Sequence, residues 1–316
     1  MVQLVKMQSI TVISPATSAN LGPGFDTFAI AIEGLHDRVI VRSMEEKGIQ
    51  VKNSGLGAGI PTDPLKNTGG VVAQNMIIEF GLGGISLEID KGVPPGKGLG
   101  SSAATASAVA FGINRMFRLE LSNEELLKFA SSGEVASSGV AHPDNVAGAL
   151  FGGFVIVHSK SLHISSFPPP RGLSVCIGIP IMETPPKKTG RARGVLPSNV
   201  PLDDVTHNIS SAAIMVAGFA RGDMELIGIA MHDNIVEPAR ASLVPGYSEV
   251  RSRTITAGAL GIAISGAGPS MIAFLDNSKV KITSVGNAMK SGFKSAGLRS
   301  SIIHTKIGSG VRVIKK

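Results

Sequence analysis

The sequence has little of the chemistry on which several protein classes depend. Cys176 is its single cysteine, so an intramolecular disulfide is impossible, and the apolar segment LSVCIGIPI around it predicts a buried structural thiol. One tyrosine and no tryptophan leave few aromatic rings on which single-stranded nucleic acid could stack. The formal net charge of +7 therefore favours a small anionic ligand over nucleic acid.

Long apolar runs are also missing. The longest span about ten residues, whereas an α-helix needs about 20 to cross a bilayer. The N-terminus lacks the charged, apolar and small-residue succession of a signal peptide. We therefore expect a cytoplasmic protein that makes no membrane contact. A chain of 316 residues with 43% hydrophobic content can bury a large core and is expected to form two compact units.

Strand and helix patterns alternate in both halves of the chain, which predicts an α+β fold with helices against one face of each sheet. The proline-rich segment SSFPPPRG, residues 165–172, is the predicted linker, so the expected domains are 1–165 and 166–316. The capping box Ser122–Glu125 predicts a helix start, and Gly222 a break between two helices. The predicted strands are 10–14, 37–43, 85–90, 152–157, 173–181 and a final one at 299–305, with two short strands around a glycine turn before it; the predicted helices include 68–80, 101–118, 203–221 and 223–236.

The segment VPPGKGLGSSAATASAVAFG, residues 93–112, places alternating glycines directly before a helix that opens with two serines. Glycine lets backbone N–H groups approach an anion closely, and a helix N-terminus adds unpaired donors and the positive end of its dipole. The segment is neither a Walker A loop, because Gly98 follows Lys97, nor a dinucleotide fingerprint, because the glycines alternate. We predict a nucleotide-phosphate site here; the alternative is a tight strand-to-helix turn without a ligand.

Within this segment, PPGKGLGSSAA closely resembles the central motif of the GHMP kinases. PATSANLGPGFD, residues 15–26, is similar to the N-terminal motif of that family in its homoserine kinase form. ISGAGPSMIAF, residues 264–274, is similar to the C-terminal glycine motif. The three occur in the family's order and span nearly the whole chain, and GEVASSGVAHPDNVAGALFGGF, residues 133–154, favours the homoserine kinase branch.

The resemblance implies a two-domain GHMP kinase fold, with an N-terminal domain like ribosomal protein S5 domain 2 and a ferredoxin-like C-terminal domain. It implies ATP and Mg²⁺ as cofactors, and transfer of the γ-phosphoryl group to the side-chain hydroxyl of L-homoserine in threonine biosynthesis, by a homodimer. Asn67 matches a family position near the adenine or ribose, although it also suits a helix start. The implied ATP-binding residues are Asn67, Pro95, Gly96, Lys97, Gly98, Leu99, Gly100, Ser101, Ser102, Ala103 and Ala104.

The same resemblance implies roles for side chains outside the glycine segment. Glu134 would hold the metal ion with Ser102, the alternative for Glu134 being an exposed glutamate at a helix end. Asn20 would hold the reacting hydroxyl, and Asp144 matches the family's proposed general base, although a loose transition state asks little of a base. The implied substrate-binding residues are Asn20, Asp26, His142, Asn145, Thr189, Arg193 and Arg240, with Asp26 pairing with the ammonium and the two arginines with the carboxylate.

Two rival functions stay open at the level of sequence. One is a GHMP kinase for another small alcohol, such as mevalonate, shikimate or pantoate. The other is a non-catalytic protein that binds a nucleotide and uses the fold as a scaffold. An amino acid substrate is favoured because a pair of arginines is combined with the acidic Asp26.

Overall fold

In the first of the two sheets, the alternation of apolar and charged residues along a strand decides which face is buried. In a computed structural model that describes residues 8–138, 143–183, 185 and 188–315, Val39 and Val41 are buried while Arg38 and Arg42 alternate with them toward the open face. The strands of this sheet are β1 (Ser9–Asn20), β2 (Gly24–Met44), β3 (Ile49–Gly55), β4 (Gly84–Lys91), β5 (Phe154–Val157), β6 (Ile164–Phe167) and β11 (Arg312–Lys315). Their order is β11-β1-β2-β4-β3, and β5 pairs with both β2 and β6.

Four helices lie on the buried side of this sheet, three of them against its strands and one packed on the other helices. They are α1 (Thr68–Phe80), α2 (Ser101–Phe117), α3 (Asn123–Ser138) and α4 (Pro143–Phe151). The small residues of α2 allow close approach: a Cβ at Gly112 would lie 2.8 Å from a side-chain methyl of Val41. The predicted helix 68–80 is confirmed, and the predicted capping box forms, with Ser122 N donating to Glu125 Oε2 at 2.8 Å and Glu125 N to Ser122 Oγ at 3.2 Å.

The second sheet has the order β10-β7-β9-β8, and all its neighbouring strands are antiparallel. Its strands are β7 (Leu173–Pro180), β8 (Gly261–Ile264), β9 (Met271–Asp276) and β10 (Ser300–Thr305). The helices of this half are α5 (Lys188–Gly194), α6 (Leu202–Arg221), α7 (Met224–Ala230), α8 (Val236–Arg240), α9 (Tyr247–Thr256) and α10 (Ile282–Ser295). Cys176 on β7 is buried, and burial raises the pKa of its thiol to about 12, as expected of a structural cysteine.

A shared apolar cluster joins the two halves. Phe154 on β5 stacks on Phe219 of α6 with ring centroids 4.0 Å apart, and Phe28 of β2 packs edge-on against Phe154. Val175 and Ile177 of β7 extend the same cluster into the second sheet. Each large aromatic ring buried here stabilises the fold by about 1.5–3 kcal/mol relative to its exposure. The two sheets are therefore held at a fixed relation by packing, and loops at their junction can build a common site.

Three predictions of secondary structure are wrong in detail. The expected linker 165–172 begins inside β6, because Ser165 and Ser166 pair with β5. The predicted final strand, now β10, is followed by β11, which pairs with β1 and so returns the chain to the first sheet. The division at residue 165 stays a prediction, but the first sheet draws strands from both sides of it.

The predicted helix 223–236 is the third difference, because α7 ends at Ala230. Asp233 interrupts it: its Oδ1 accepts hydrogen bonds from the amides of Ile235 (2.8 Å) and Val236 (3.0 Å), and its Oδ2 accepts from Glu237 N at 2.8 Å. A side chain that caps a new helix competes with continuation of the old one. Gly222 does end α6 in the left-handed conformation, as predicted. No helix in the described part of the chain combines the length and apolar character needed to span a membrane.

Candidate active site

The predicted phosphate loop, residues 95–104, connects the end of β4 to the start of α2. Gly98 has φ of 76°, and a Cβ there would lie 2.2 Å from Ser265 O and 2.6 Å from Gly268 O. Gly100 has φ of 64°, and a Cβ there would lie 1.9 Å from Thr17 Oγ1. Both positions therefore require glycine for its backbone conformation and for space.

The start of α2 has the features of an anion site. Its N-cap residue is Gly100, which has no side chain that could accept hydrogen bonds from the first amides of the helix. Ser101 Oγ donates to Val93 O at 2.8 Å, which turns this hydroxyl toward the preceding strand. The positive end of the helix dipole therefore faces the loop without a capping side chain to neutralise it. The cradle suits the phosphates of a nucleotide.

A buried ionic network lies beneath the loop, and sequence analysis missed it. Lys91 pairs with Asp37, and its Nζ also donates to Ser101 O at 2.6 Å and Thr105 Oγ1 at 2.8 Å. Asp37 Oδ1 accepts from the amides of Gly92 (3.1 Å) and Val93 (3.0 Å). Burial lowers the pKa of Lys91, while Asp37 and Glu134 oppose that shift. This network ties β2, β4 and the first turn of α2 together, and only a single lysine at a strand end hints at it in the sequence.

Glu134 is buried on α3, with 7% of its surface exposed, so it is not the exposed helix-end glutamate of the alternative interpretation. Its carboxylate acts electrostatically on Lys91, directly below the phosphate loop. A carboxylate and the hydroxyl of Ser102 are oxygen donors, which Mg²⁺ prefers, and Mg²⁺ keeps several waters of its own. Within the described ranges no group of three or more histidine, cysteine, aspartate or glutamate side chains could hold a metal ion. The two predicted ligands, Ser102 and Glu134, fit the oxygen donors that Mg²⁺ prefers.

The three sequence motifs meet at this loop. Ser265 Oγ lies 2.7 Å from Gly98 O and 2.8 Å from Ser18 Oγ. Asn20 Nδ2 donates to Gly266 O at 2.9 Å, and Gly266 N donates to Ala19 O at 3.1 Å. The C-terminal glycine loop, residues 265–270, therefore touches both the phosphate loop and the turn after β1.

The side chain of Asn20 holds its own turn as well. Its Oδ1 accepts from Asp26 N at 3.3 Å, and Asn20 and Asp26 have φ of 72° and 53°. The left-handed conformation is one that asparagine and aspartate tolerate better than other side chains. The structure therefore gives Asn20 a positioning contact, and its predicted contact with a reacting hydroxyl stays a prediction.

The start of α4 brings two further predicted residues to the loop. Asn145 Oδ1 accepts from Thr17 Oγ1 at 2.8 Å, and Thr17 is the residue against which Gly100 packs. Asp144 is 1% exposed, and its Oδ1 accepts from Asn145 N at 2.6 Å. The charge of Asp144 also acts on Arg240 of α8. His142, predicted to bind substrate, lies outside the described residues.

Arg193 of α5 pairs with Asp26, which lies near the start of β2. Arg193 Nη2 lies 2.9 Å from Asp26 Oδ1 and 2.8 Å from Oδ2, and both side chains are about one-third exposed. The guanidinium of Arg193 lies 5.4 Å from the centroid of the Phe25 ring, and that of Arg240 lies 5.1 Å from it. Phe25, which sequence analysis passed over inside a quoted motif, thus orients two cations at one place.

Arg240 is held more firmly than Arg193. It is 4% exposed, and it donates from Nε to Ala192 O at 2.9 Å and from Nη1 to Gly266 O at 3.2 Å. Burial lowers its pKa, and Asp26 opposes that shift. Thr189 lies on the same short helix as Arg193 and is half-buried. Asp26, Arg193 and Arg240 are therefore brought together, and their predicted contacts with an amino acid stay predictions.

Two lysines also reach the junction of the loops. Lys97 Nζ donates to Met182 O at 2.7 Å, so this charge is less mobile than a loop lysine is expected to be. Lys188 of α5 donates to Gly268 O, and burial, then Lys97 and Arg240, lower its pKa to about 7. Sequence analysis missed Lys188, although it adjoins Thr189.

Asn67 lies farther along the first half and caps α1. Its Oδ1 accepts from Gly69 N at 2.9 Å and Gly70 N at 3.2 Å, and its Nδ2 donates to Pro61 O at 2.8 Å. The helix-start interpretation is therefore confirmed. A role of Asn67 beside the adenine or ribose stays a prediction, and the cap geometry is compatible with it.

Family models match both halves of the chain. The model for the GHMP kinases N terminal domain matches residues 67–153, and that for the GHMP kinases C terminal region matches residues 215–294. The homoserine kinase of Methanocella arvoryzae is 41% identical over 310 residues, covering 98% of this chain and 99% of that protein. The homoserine kinase of Halorubrum lacusprofundi is 40% identical, covering 97% of this chain and 100% of that protein.

Solved structures agree with these sequence matches. The crystal structure of homoserine kinase from Cytophaga hutchinsonii has a TM-score of 0.90 and 36% identity, with 99% of both chains covered. Lactococcus lactis galactokinase, crystallised with galactose, has a TM-score of 0.72 at 16% identity, covering 96% of this chain and 95% of that one. The second likeness bears on the fold alone.

Proposed function

Because this chain belongs to the GHMP kinase family, we propose that it transfers the γ-phosphoryl group of ATP to the side-chain hydroxyl of L-homoserine. The proposed product is O-phospho-L-homoserine, and the proposed role lies in threonine biosynthesis. Phosphoryl transfer depends mainly on positioning and on neutralising negative charge. The site therefore needs a fixed anion cradle, groups for the acceptor and an electrostatic environment that suits the transferring group.

The single observation that carries the substrate class is the contact between Asp26 and Arg193, at 2.8–2.9 Å. The ammonium and carboxylate of an amino acid share one carbon, so the groups that bind them must be neighbours of opposite charge. Asp26 would accept from the ammonium, and Arg193 would donate to the carboxylate, with Arg240 beside it. Mevalonate, shikimate and pantoate carry a carboxylate without this ammonium, and galactose carries neither group.

At the donor end, the cradle of residues 95–104 would hold ATP. Gly98 and Gly100 let the loop pack closely against Ser265, Gly268 and Thr17, and the first amides of α2, which no side chain caps, would donate to the phosphates. Lys91 and Asp37 hold the first turn of α2 in place from below. Asn67 would lie at the nucleoside end, where its cap fixes the start of α1.

Ser102 and Glu134 would hold Mg²⁺, which would neutralise negative charge on the phosphates when bound. The chain's own residues fix the other conditions of the reaction. The hydrogen bond from Asn20 to the C-terminal glycine loop keeps the turn after β1 close to the phosphate loop. Asp144 is buried at the start of α4 and is the candidate to accept the hydroxyl proton.

The test is ADP release by the purified chain with ATP and one acceptor at a time. Homoserine is compared with mevalonate, shikimate, pantoate and galactose, and the product is identified by ³¹P NMR as a phosphomonoester. Two truncated acceptors sharpen the panel: 4-hydroxybutyrate lacks the ammonium, and 3-aminopropan-1-ol lacks the carboxylate. We expect homoserine to exceed both in kcat/KM by about 100-fold, since each loses a charge-assisted contact.

Two variants connect that panel to the structure. Asp26→Asn is expected to remove most of the preference for homoserine over 4-hydroxybutyrate, and Arg193→Met most of the preference over 3-aminopropan-1-ol. A better acceptor than homoserine, or ATP binding without turnover of any acceptor, would contradict the proposed function. The homodimer, the magnesium ion and the cytoplasmic location stay predictions, and the oligomeric state is testable by sedimentation.

A further inference from the structure

The first turn of α5 reaches the seam between the phosphate loop and the C-terminal glycine loop. Lys188 Nζ donates to the carbonyl oxygen of Gly268. That same oxygen would lie only 2.6 Å from a Cβ at Gly98, so it rests against the backbone of the phosphate loop. Lys188 therefore reaches the phosphate loop through one intermediate group, the carbonyl of Gly268, which packs against Gly98.

The surroundings of Lys188 favour an anion. It faces Lys97 of the phosphate loop and Arg240 of α8, and both charges, together with burial, lower its pKa. Lys97 is itself engaged with Met182 O at 2.7 Å. A half-buried lysine among cations, with a carbonyl as its hydrogen-bond partner, is costly to keep charged. An apolar side chain would cover the same seam without that cost.

A polyphosphate would supply the negative charge that is missing among the described residues acting on Lys188. We propose that Lys188 is a phosphate-binding residue that the second half of the molecule contributes to the nucleotide, its ammonium moving from Gly268 O to the triphosphate when ATP binds. This inference rests on the proposed function, because it takes ATP as the occupant of the cradle. Binding then recruits a proton from solvent to Lys188 Nζ, since an adjacent anion favours the charged form.

Helix α5 carries Arg193 as well as Lys188. Arg193, assigned above to the acceptor carboxylate, lies five residues farther along the same helix, or about 7.5 Å along its axis. One short rigid element would therefore contact the phosphoryl donor at its first turn and the acceptor at its last. Placement of the two substrates relative to one another would depend on this helix.

The test is calorimetric titration of the full-length chain with MgATP, without homoserine, at pH 7.5 in two buffers that differ in ionisation enthalpy. The wild type is expected to take up protons on binding. Lys188→Met is expected to bind MgATP about tenfold more weakly and to take up fewer protons, because a charge-assisted hydrogen bond is lost. Lys188→Arg, which stays charged, is expected to bind without the extra proton uptake. Lys290→Met, at an exposed lysine of α10, is the matched control and is expected to behave as wild type.

Unchanged MgATP affinity and proton uptake in Lys188→Met would overturn the inference. So would Lys188→Arg taking up protons as the wild type does. Should Lys188→Met fail to fold, the Lys188→Arg result decides alone. The proposed function is judged separately: a wild type that binds MgATP but does not phosphorylate homoserine refutes that function and leaves the lysine measurement valid, whereas an active wild type with an unaltered Lys188→Met refutes only this inference.

Discussion

Two ion pairs in the site region differ sharply in their surroundings. The side chains of Lys91 and Asp37 are 2% and 0% exposed, whereas those of Arg193 and Asp26 are 30% and 35% exposed. Backbone amides and a threonine complete the hydrogen bonding of the buried pair. The exposed pair lies beside an aromatic ring at the surface of the site.

The difference separates anchoring from recognition. A buried pair is expensive to break, because a lone charge would remain in a medium of low dielectric, so it fixes the start of the phosphate loop. A half-exposed pair contributes about 0–1 kcal/mol to stability, so its members can exchange one another for a ligand at little cost. Under the proposed function, the donor end would be held by the fold, and the acceptor end by contacts that a zwitterion could replace.

The largest effect is expected at the anchor. Asp37→Asn would leave Lys91 buried without its counter-charge, and the free energy of unfolding should fall by about 3–5 kcal/mol. Chemical denaturation measures this. Asp90→Asn, on the exposed side of β4 next to Lys91, is the matched control, with an expected change within about 0.5 kcal/mol. Equal effects of the two substitutions would break the comparison, because Asp37 would then be no more than a surface charge.

The recognition pair should show the opposite pattern. Arg193→Met is expected to lower kcat/KM for homoserine about 100-fold, as two charge-assisted hydrogen bonds are lost, while the free energy of unfolding changes by less than about 1 kcal/mol. Steady-state kinetics and denaturation on one preparation test both. Arg191→Met, an exposed arginine of the same helix, should leave both quantities near wild type. A stability loss in proportion to the activity loss would mean that Arg193 is an anchor too.

The seam between the two regions sharpens the comparison further. Gly98→Ala places a methyl group 2.2 Å from Ser265 O at a left-handed position, so the loops must separate, at a cost of about 1–3 kcal/mol. We expect KM for ATP to rise with that loss. Gly59→Ala, where no atom lies within 4 Å of the added Cβ, is the control. If ATP affinity survives in Gly98→Ala, the contact between the loops is not needed for the cradle.

The smallest effect concerns pH. Burial and two cations lower the pKa of Lys188 from 10.5 to about 7, so between these values the unfolded chain holds a proton that the native chain lacks. The contribution of Lys188 to wild-type stability is therefore lost as pH falls from 10.5 toward 7 and is constant below that. The stability of Lys188→Met relative to wild type should be greater at pH 7 than at pH 10, and partial exposure of Lys188 keeps the difference small. A difference that does not vary with pH would mean that Lys188 stays charged throughout.

Local patterns were enough to predict much of this architecture. The helix 68–80 follows from apolar residues four apart, the capping box of α3 from two side chains three residues apart, and the end of α6 from one glycine. The strand β11 escaped prediction because RVIK is short and charged at both ends, so its position depends on pairing with β1. The early end of α7 depends on how Asp233 is used, which its neighbours in sequence do not reveal.

The sequence by itself determined the family resemblance and was enough to predict the phosphate loop, because closely spaced glycines and serines act through their own backbone and their own helix end. Only the tertiary structure decided that Asp26 touches Arg193, that Lys91 pairs with Asp37 beneath the phosphate loop, and that Lys188 reaches Gly268. These partners come from strands and helices far apart in the chain, and the energy of a charge depends on its burial and on which charges surround it. Both properties arise only when these strands and helices pack against one another.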